Sequence, residues 1–267
     1  MWIDTHCHLD ADVFDADRDA VVARARAAGV SMMVLPNGHV DWFAKAAQIA
    51  EQYELTYALG LHPLWIEQAL EQHIDVLRQT VDRARADVRF VAVGEIGLDL
   101  FEAGLDVPRQ EWFYREQLRI AREFGLPVIV HVRRSADLLL KHLRQIEVPG
   151  GIVHAFNGSE QQAAAFVARG FKLGFGGAMT YEGSKRIRRL AATLPEHAWV
   201  LETDAPDIPS QWLRTGGQAQ RNEPGELPRI AATMSALRGV PLDDLAARNR
   251  ANVCEALPRL RALLEPG

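Results

Sequence analysis

The chain has 267 residues, a formal net charge of −5 at neutral pH and two cysteines, Cys7 and Cys254. That length supports a large core, arranged as one big domain or two modest ones, and the acidic balance argues against a broad basic face for gripping duplex DNA. Two cysteines argue against a disulfide scaffold, and the absence of a secretory leader or a bilayer-length apolar run leads us to expect a cytoplasmic protein without membrane attachment.

Trp2, Ile3 and Thr5 read as a short strand running into His6-Cys7-His8. Side chains alternate faces along a strand, so His6 and His8 point one way and Cys7 points the other, into packing. Asp15 or Asp17 is placed to cap a helix to about Ala28, which Gly29 stops. Residues 31–35 form a second strand closed by Pro36-Asn37-Gly38, a helix follows over 42–52, and 56–60 is a third strand ending in Leu61-His62-Pro63. Ile74, Leu77, Val81 and Ala84 mark the next helix by their spacing.

Residues 88–93 are almost uninterrupted β-branched and apolar, as in a strand buried on both faces, and run into Gly94-Glu95-Ile96-Gly97-Leu98-Asp99. A helix with Phe113, Ile120, Ala121 and Phe124 on one face stops at Gly125, and the fifth strand, 127–130, ends on His131. Ser135 is placed to cap a helix to about Gln145, and the sixth strand, 151–153, ends on His154. A helix over 160–169 leads to a seventh strand at 171–175 with a Gly-rich turn, and a helix over 184–194 leads to an eighth at 199–202, before Asp204. A long loop over 205–228 follows, then helices at 226–237 and 241–257, the latter capped near Asp243 or Asp244. Loops of that length often cover a site.

Eight strands alternating with helices, at a length near the roughly 250 residues typical of the fold, predict an α/β (β/α)₈ TIM barrel as one domain over residues 1–267. An open doubly wound sheet is the alternative, but it offers no reason for polar residues to recur at strand ends. The barrel gathers His6, His8, Glu95, His131, His154 and Asp204 at one mouth. Six such donors suit two divalent ions, with Glu95 able to bridge them and Asp204 able to act as general base. The donor types admit Zn, Mn, Co or Fe, and less often Mg. Arg133 shares the mouth-facing side with His131 and can pair with an anionic substrate, whereas Arg134 is expected to face away. His62, and Arg221 with Asn222 in the long loop, are further substrate-binding candidates. Trp65 and Trp212 lie in mouth-side loops where a base could stack. Asp99 and Glu202 are candidates for orienting ligands, and His39, His73, His142 and His197 are expected to face solvent.

The motifs Asp4-Thr5-His6-Cys7-His8-Leu9-Asp10, Gly60-Leu61-His62-Pro63, Gly94-Glu95-Ile96-Gly97-Leu98-Asp99, His131 with Arg133, His154 before Phe156-Asn157-Gly158, and Glu202-Thr203-Asp204-Ala205-Pro206 resemble, in order, those of TatD-type metal-dependent hydrolases. The resemblance spans nearly the whole chain. It implies a TIM barrel of the metallo-dependent hydrolase superfamily with two divalent ions. His6, His8, Glu95 and Asp204 would hold the first and Glu95, His131 and His154 the second, with His62 facing substrate. Ala155, Asn157, Ala205 and Ala256-Leu257 depart from the usual pattern and remove no ligand; they set the chain on a less-characterised bacterial branch.

The expected activity is two-metal hydrolysis of phosphodiester bonds, with DNA ends or short single strands as substrate and exonuclease-like action. Hydrolysis of an amide or carboxyl ester in a small molecule is the second reading, and a non-catalytic metal-binding scaffold the third. No obligate protein partner is expected.

Overall fold

The computed structural model describes residues 1–215 and 218–264. Eight parallel strands form one sheet in sequential order: β1 (Trp2–Asp4), β2 (Val30–Asn37), β3 (Thr56–Leu59), β4 (Phe90–Asp99), β5 (Val128–Arg133), β6 (Gly151–Val153), β7 (Phe171–Phe175) and β8 (Trp199–Leu201). The sheet closes on itself. Thr5 N–H donates to Leu201 O, Asp204 N–H to His6 O and His8 N–H to Ala205 O, which joins the end of β8 to the end of β1. The chain is therefore a (β/α)₈ barrel, as the alternating pattern predicts.

Connecting the strands are α1 (Arg18–Ala27), α2 (Phe43–Gln52), α3 (His73–Ala84), α4 (Val107–Phe124), α5 (Ala136–Leu143), α6 (Glu160–Val167) and α7 (Lys185–Thr193), with α8 (Leu227–Arg238) and α9 (Leu242–Ala256) after β8. Asp106 caps α4 by accepting from Arg109 N–H, and Gly125 ends it in the left-handed region. Ser159 and Gln162 form a reciprocal capping box on α6. Three expected caps differ. Asp17 stands at the N-cap position of α1 without a side-chain cap bond, its carboxylate turned to Arg221; Ser135 donates to Leu98 O instead of capping α5; and Pro241 precedes α9 with Asp243 and Asp244 inside its first turn.

Two cores follow from strand alternation. Residues such as Val30, Leu35, Val128, Val130, Leu173 and Trp199 face outward against the helices. Ile3, Met32, Val34, Ala58, Ile129, Ile152 and Val200 fill the barrel interior, and Val253, Leu257 and Leu260 plug its lower end. On β7, buried Lys172 lies between the outward-packed Phe171 and Leu173, and its Nζ meets Glu255 of α9 at 2.6 Å.

The closing seam is held from below by α9. Asn249 Nδ2 donates to Ile3 O at 3.0 Å, and its Oδ1 accepts from Leu201 N–H at 2.9 Å, all buried. Asn249→Ala leaves both main-chain groups unpaired away from water, at a cost of about 2–4 kcal/mol. The urea midpoint is expected to fall by the corresponding amount at unchanged slope.

The loop over 205–228 is not structureless. It carries a short turn at Gln211–Leu213 and a two-stranded ribbon, Arg214–Thr215 against Gln218–Ala219, with residues 216–217 outside the described range. Asn222 holds it from beneath, donating to Thr203 O and Asp207 O, each at 2.8 Å. Among the described residues, no helix is long and apolar enough to cross a membrane.

Candidate active site

The site sits where the inward-facing rows of the barrel emerge at the C-terminal ends of the strands. Two residues above inward Ile129 comes His131, two above Ile152 comes His154, and two above Val200 comes Glu202. Strand β4 carries a register shift between Val93 and Ile96 against β5, and Glu95 lies within it. Such a bulge re-aims a side chain. In β1 the alternation breaks: Asp4 accepts from His6 N–H and from Thr203 N–H and Oγ1, and beyond this lock His6 and His8 face inward while Cys7 is buried in the outer core. Burial raises the Asp4 pKa to about 7, against hydrogen bonds from Thr203 and His6 that lower it.

Glu95 is the centre. Its Oε2 lies 3.1 Å from His6 Nε2 and 3.7 Å from His8 Nε2. Its Oε1 lies 3.0 Å from His131 Nδ1, 3.3 Å from His62 Nε2 and 3.6 Å from His154 Nε2. The two oxygens thus face two different sets of imidazole nitrogens. Asp204 Oδ1 completes the first set, 3.5 Å from both His6 Nε2 and His8 Nε2. Those two nitrogens face each other at 3.2 Å. Lone pairs crowded in this way on two carboxylate oxygens fit a divalent cation between them, and the mixed nitrogen and oxygen donors suit Zn, Mn, Co or Fe.

The carboxylates draw positive charge into the site. Burial alone would raise the Glu95 pKa, yet His6, His62, His154 and the His131 hydrogen bond hold it well below the usual carboxylate range. Burial disfavours a charged His8, but Asp204 and Glu95 raise its pKa to about 9; likewise Asp204, Glu95 and Glu202 raise His154 to about 10. Burial prevails at His62, whose pKa drops to about 4, and it also lowers His6.

Behind the imidazoles stand two further carboxylates. Asp99 Oδ2 is 3.0 Å from His131 Nε2, which leaves Nδ1 turned to Glu95. Glu202 Oε1 is 3.4 Å from His154 Nδ1 and accepts from Ala155 N–H at 2.6 Å. Gly174 makes room for it, since a Cβ there would lie 2.2 Å from Glu202 Oε2. Asp99→Asn should let the His131 ring turn, weakening metal affinity about 10–100-fold as measured by competition with a chelating dye.

All six strand-end residues named from the sequence converge here, and so does His62, nearer to Glu95 Oε1 than His154 is. The site opens into a cavity of about 1430 Å³ that Arg133 lines. Arg134 lines it too, contrary to expectation, because its φ of 58° breaks the strand alternation after β5. Arg221 and Asn222 are not brought to the cavity. Arg221 is committed to Asp17 and Glu223 over the Phe14 ring, and Asn222 is buried beneath the loop. Trp212 packs its own loop, donating to Glu226 under Arg229, and His142 is buried beside Glu111 on α4 instead of facing solvent. Trp42 and Arg186, which line the cavity, were not singled out from sequence. Each sits just past a strand end or at a helix start, where composition carries no such signal.

A closed eight-stranded barrel with imidazoles and carboxylates massed at its mouth is the architecture of a metal-dependent hydrolase. The family profile described as TatD related DNase matches residues 3–258, and the chain belongs to the TatD family. It is 43% identical over 247 residues to the uncharacterized metal-dependent hydrolase YjjV of Escherichia coli K12, covering 92% of this chain and 93% of that one. The crystal structure of YjjV superposes with a TM-score of 0.90 at 40% identity, covering 96% and 98% of the two chains. A protein of Cronobacter sakazakii named 3'-5' ssDNA/RNA exonuclease TatD is 35% identical over 254 residues, covering 93% of this chain and 95% of its own. This chain is accordingly a metal-dependent hydrolase of that family.

Proposed function

We propose that the protein hydrolyses phosphodiester bonds at single-stranded DNA ends, in an exonuclease-like manner, with two divalent ions. The observation that carries this reading is the division of Glu95, one oxygen toward His6 and His8, the other toward His62, His131 and His154. His6, His8, Glu95 and Asp204 would hold one ion, and Glu95 with His131 and His154 the other, with His62 at the substrate side. Bound there, divalent ions supply Lewis acidity toward a phosphoryl oxygen and toward a water. Asp204 accepts the proton of the attacking water. Arg133, stacked 3.8 Å above the Phe101 ring and 2.9 Å from Glu102, presents its guanidinium at the cavity wall to a phosphate.

The exonuclease name of the Cronobacter relative supports the substrate class. The cytoplasmic setting and the absence of an obligate protein partner expected from the sequence belong to the same proposal. The test is cleavage of labelled single-stranded and duplex oligonucleotides with Mn or Mg. Cleavage that EDTA abolishes is expected; none with any divalent ion, in protein shown by elemental analysis to be metal-loaded, rejects the reading. Chromogenic acyl and amide substrates run alongside would then reveal the amide or carboxyl-ester alternative.

A further inference from the structure

Of the six tryptophans, two are well exposed, Trp42 at 41% and Trp65 at 38%, and they touch. Their ring centroids are 5.4 Å apart with planes at 87°, and His39 packs 4.9 Å from Trp42. Both indoles line the cavity that holds His8, His62, Glu95 and Asp204. Leaving two large aromatic faces in water forgoes the burial that indoles usually gain. Edge-to-face contact braces the pair without covering both rings.

The platform is tied to the reacting centre. Trp65 N–H donates to His62 O, and His62 N–H donates to Gly38 O at the end of β2. The two loops meet so closely that a Cβ on Gly38 would lie 2.5 Å from His62 Cβ. On the Trp42 side, Asn37 Nδ2 bridges Asp10 Oδ2 and Trp42 O. His62 stands 3.3 Å from Glu95. Only Pro63 and Leu64 separate it from Trp65, and this single 3₁₀ turn holds the two residues about 6 Å apart along the chain. Arg133, Arg134 and Arg186 line the same cavity and can meet the phosphates of a strand that enters it.

We propose that Trp42 and Trp65 form a stacking platform for one unpaired nucleobase of the substrate, next to the phosphate being cleaved. This rests on the nuclease reading above and adds to it the element that selects unpaired ends. A base inside a duplex has both faces covered by its neighbours and has none to offer an indole. An unpaired base does, and such stacking tolerates any sequence.

The test uses metal-loaded protein and fluorescent single-stranded hexanucleotides carrying one abasic residue at each position in turn. Phosphorothioate linkages serve for binding by anisotropy, and phosphodiester linkages for cleavage. The expected result is one position at which base removal weakens binding roughly tenfold or more. Trp42→Ala and Trp65→Ala should weaken the intact strand by a similar factor and lose sensitivity at that position, and Trp65→Phe should recover it. Equal binding by all abasic strands, or sensitivity that survives in the double alanine variant, overturns the platform. Base-dependent binding without cleavage upholds the platform and rejects the nuclease reading alone; cleavage without base dependence does the reverse.

Discussion

Glu95→Gln is expected to abolish metal-supported hydrolysis, lowering kcat/KM by at least ~10³-fold, and to erase the stabilisation that divalent ions give the wild type. Gln keeps the volume but replaces one shared oxygen by an NH₂ donor among nitrogens that must themselves donate electron pairs. Because Glu95 faces five imidazoles through two oxygens, one donor set loses its oxygen outright and the other keeps only a neutral carbonyl, so the shared negative charge is gone from both. A free ion at a hundred times its dissociation constant stabilises the native state by about 2.7 kcal/mol, or roughly 5–10 °C in Tm for a chain of this size. Thermal unfolding with and without Mn or Zn checks this: wild type shifts, the variant does not. A variant that binds as much metal as wild type by elemental analysis would show that Glu95 is not the shared ligand.

The barrel was legible because its strands obey a period of two and its polar residues fall two places beyond inward apolar ones. Ile129 and His131, Ile152 and His154, and Val200 and Glu202 form one such row, so the strand ends were recognisable as convergent. The same rule misplaced Arg134, since alternation assumes extended backbone and Arg134 has a positive φ. At β1 the outcome was right although the pattern is not continuous: Ile3 and His6 both face inward, and the shift between them is set by Asp4 pairing with Thr203, a residue nearly two hundred positions away.

Where partners lie on distant elements, local reading had nothing to use. His142 looks like a solvent-facing helix histidine until α4 supplies Glu111, and Arg221 looks like a free cation until α1's approach supplies Asp17. Trp42 and Trp65 illustrate the same limit. They are far apart in the list of residues, and only the joining of the β2 and β3 loops by Gly38 and His62 makes them one surface.

Asp204→Asn separates binding from proton transfer. Asn keeps a carbonyl oxygen for the ion and cannot accept the proton of water, so kcat is expected to fall by ~10²–10⁴ while KM for an oligonucleotide changes little. Burial would raise the Asp204 pKa, but His154, the His8 hydrogen bond and His6 hold it below its ordinary 3.8. With a depressed pKa the carboxylate is ionised throughout the neutral range and is lost as a base only when pH falls below the usual carboxylate values. The wild type should therefore show no acidic limb from Asp204 near neutrality. The variant must draw on hydroxide instead, and its residual rate should climb about tenfold per pH unit where the wild type is flat. Metal content measured on the same preparation distinguishes a lost ligand from a lost base. A fully loaded variant retaining kcat within tenfold of wild type would mean that the water's proton leaves by another group.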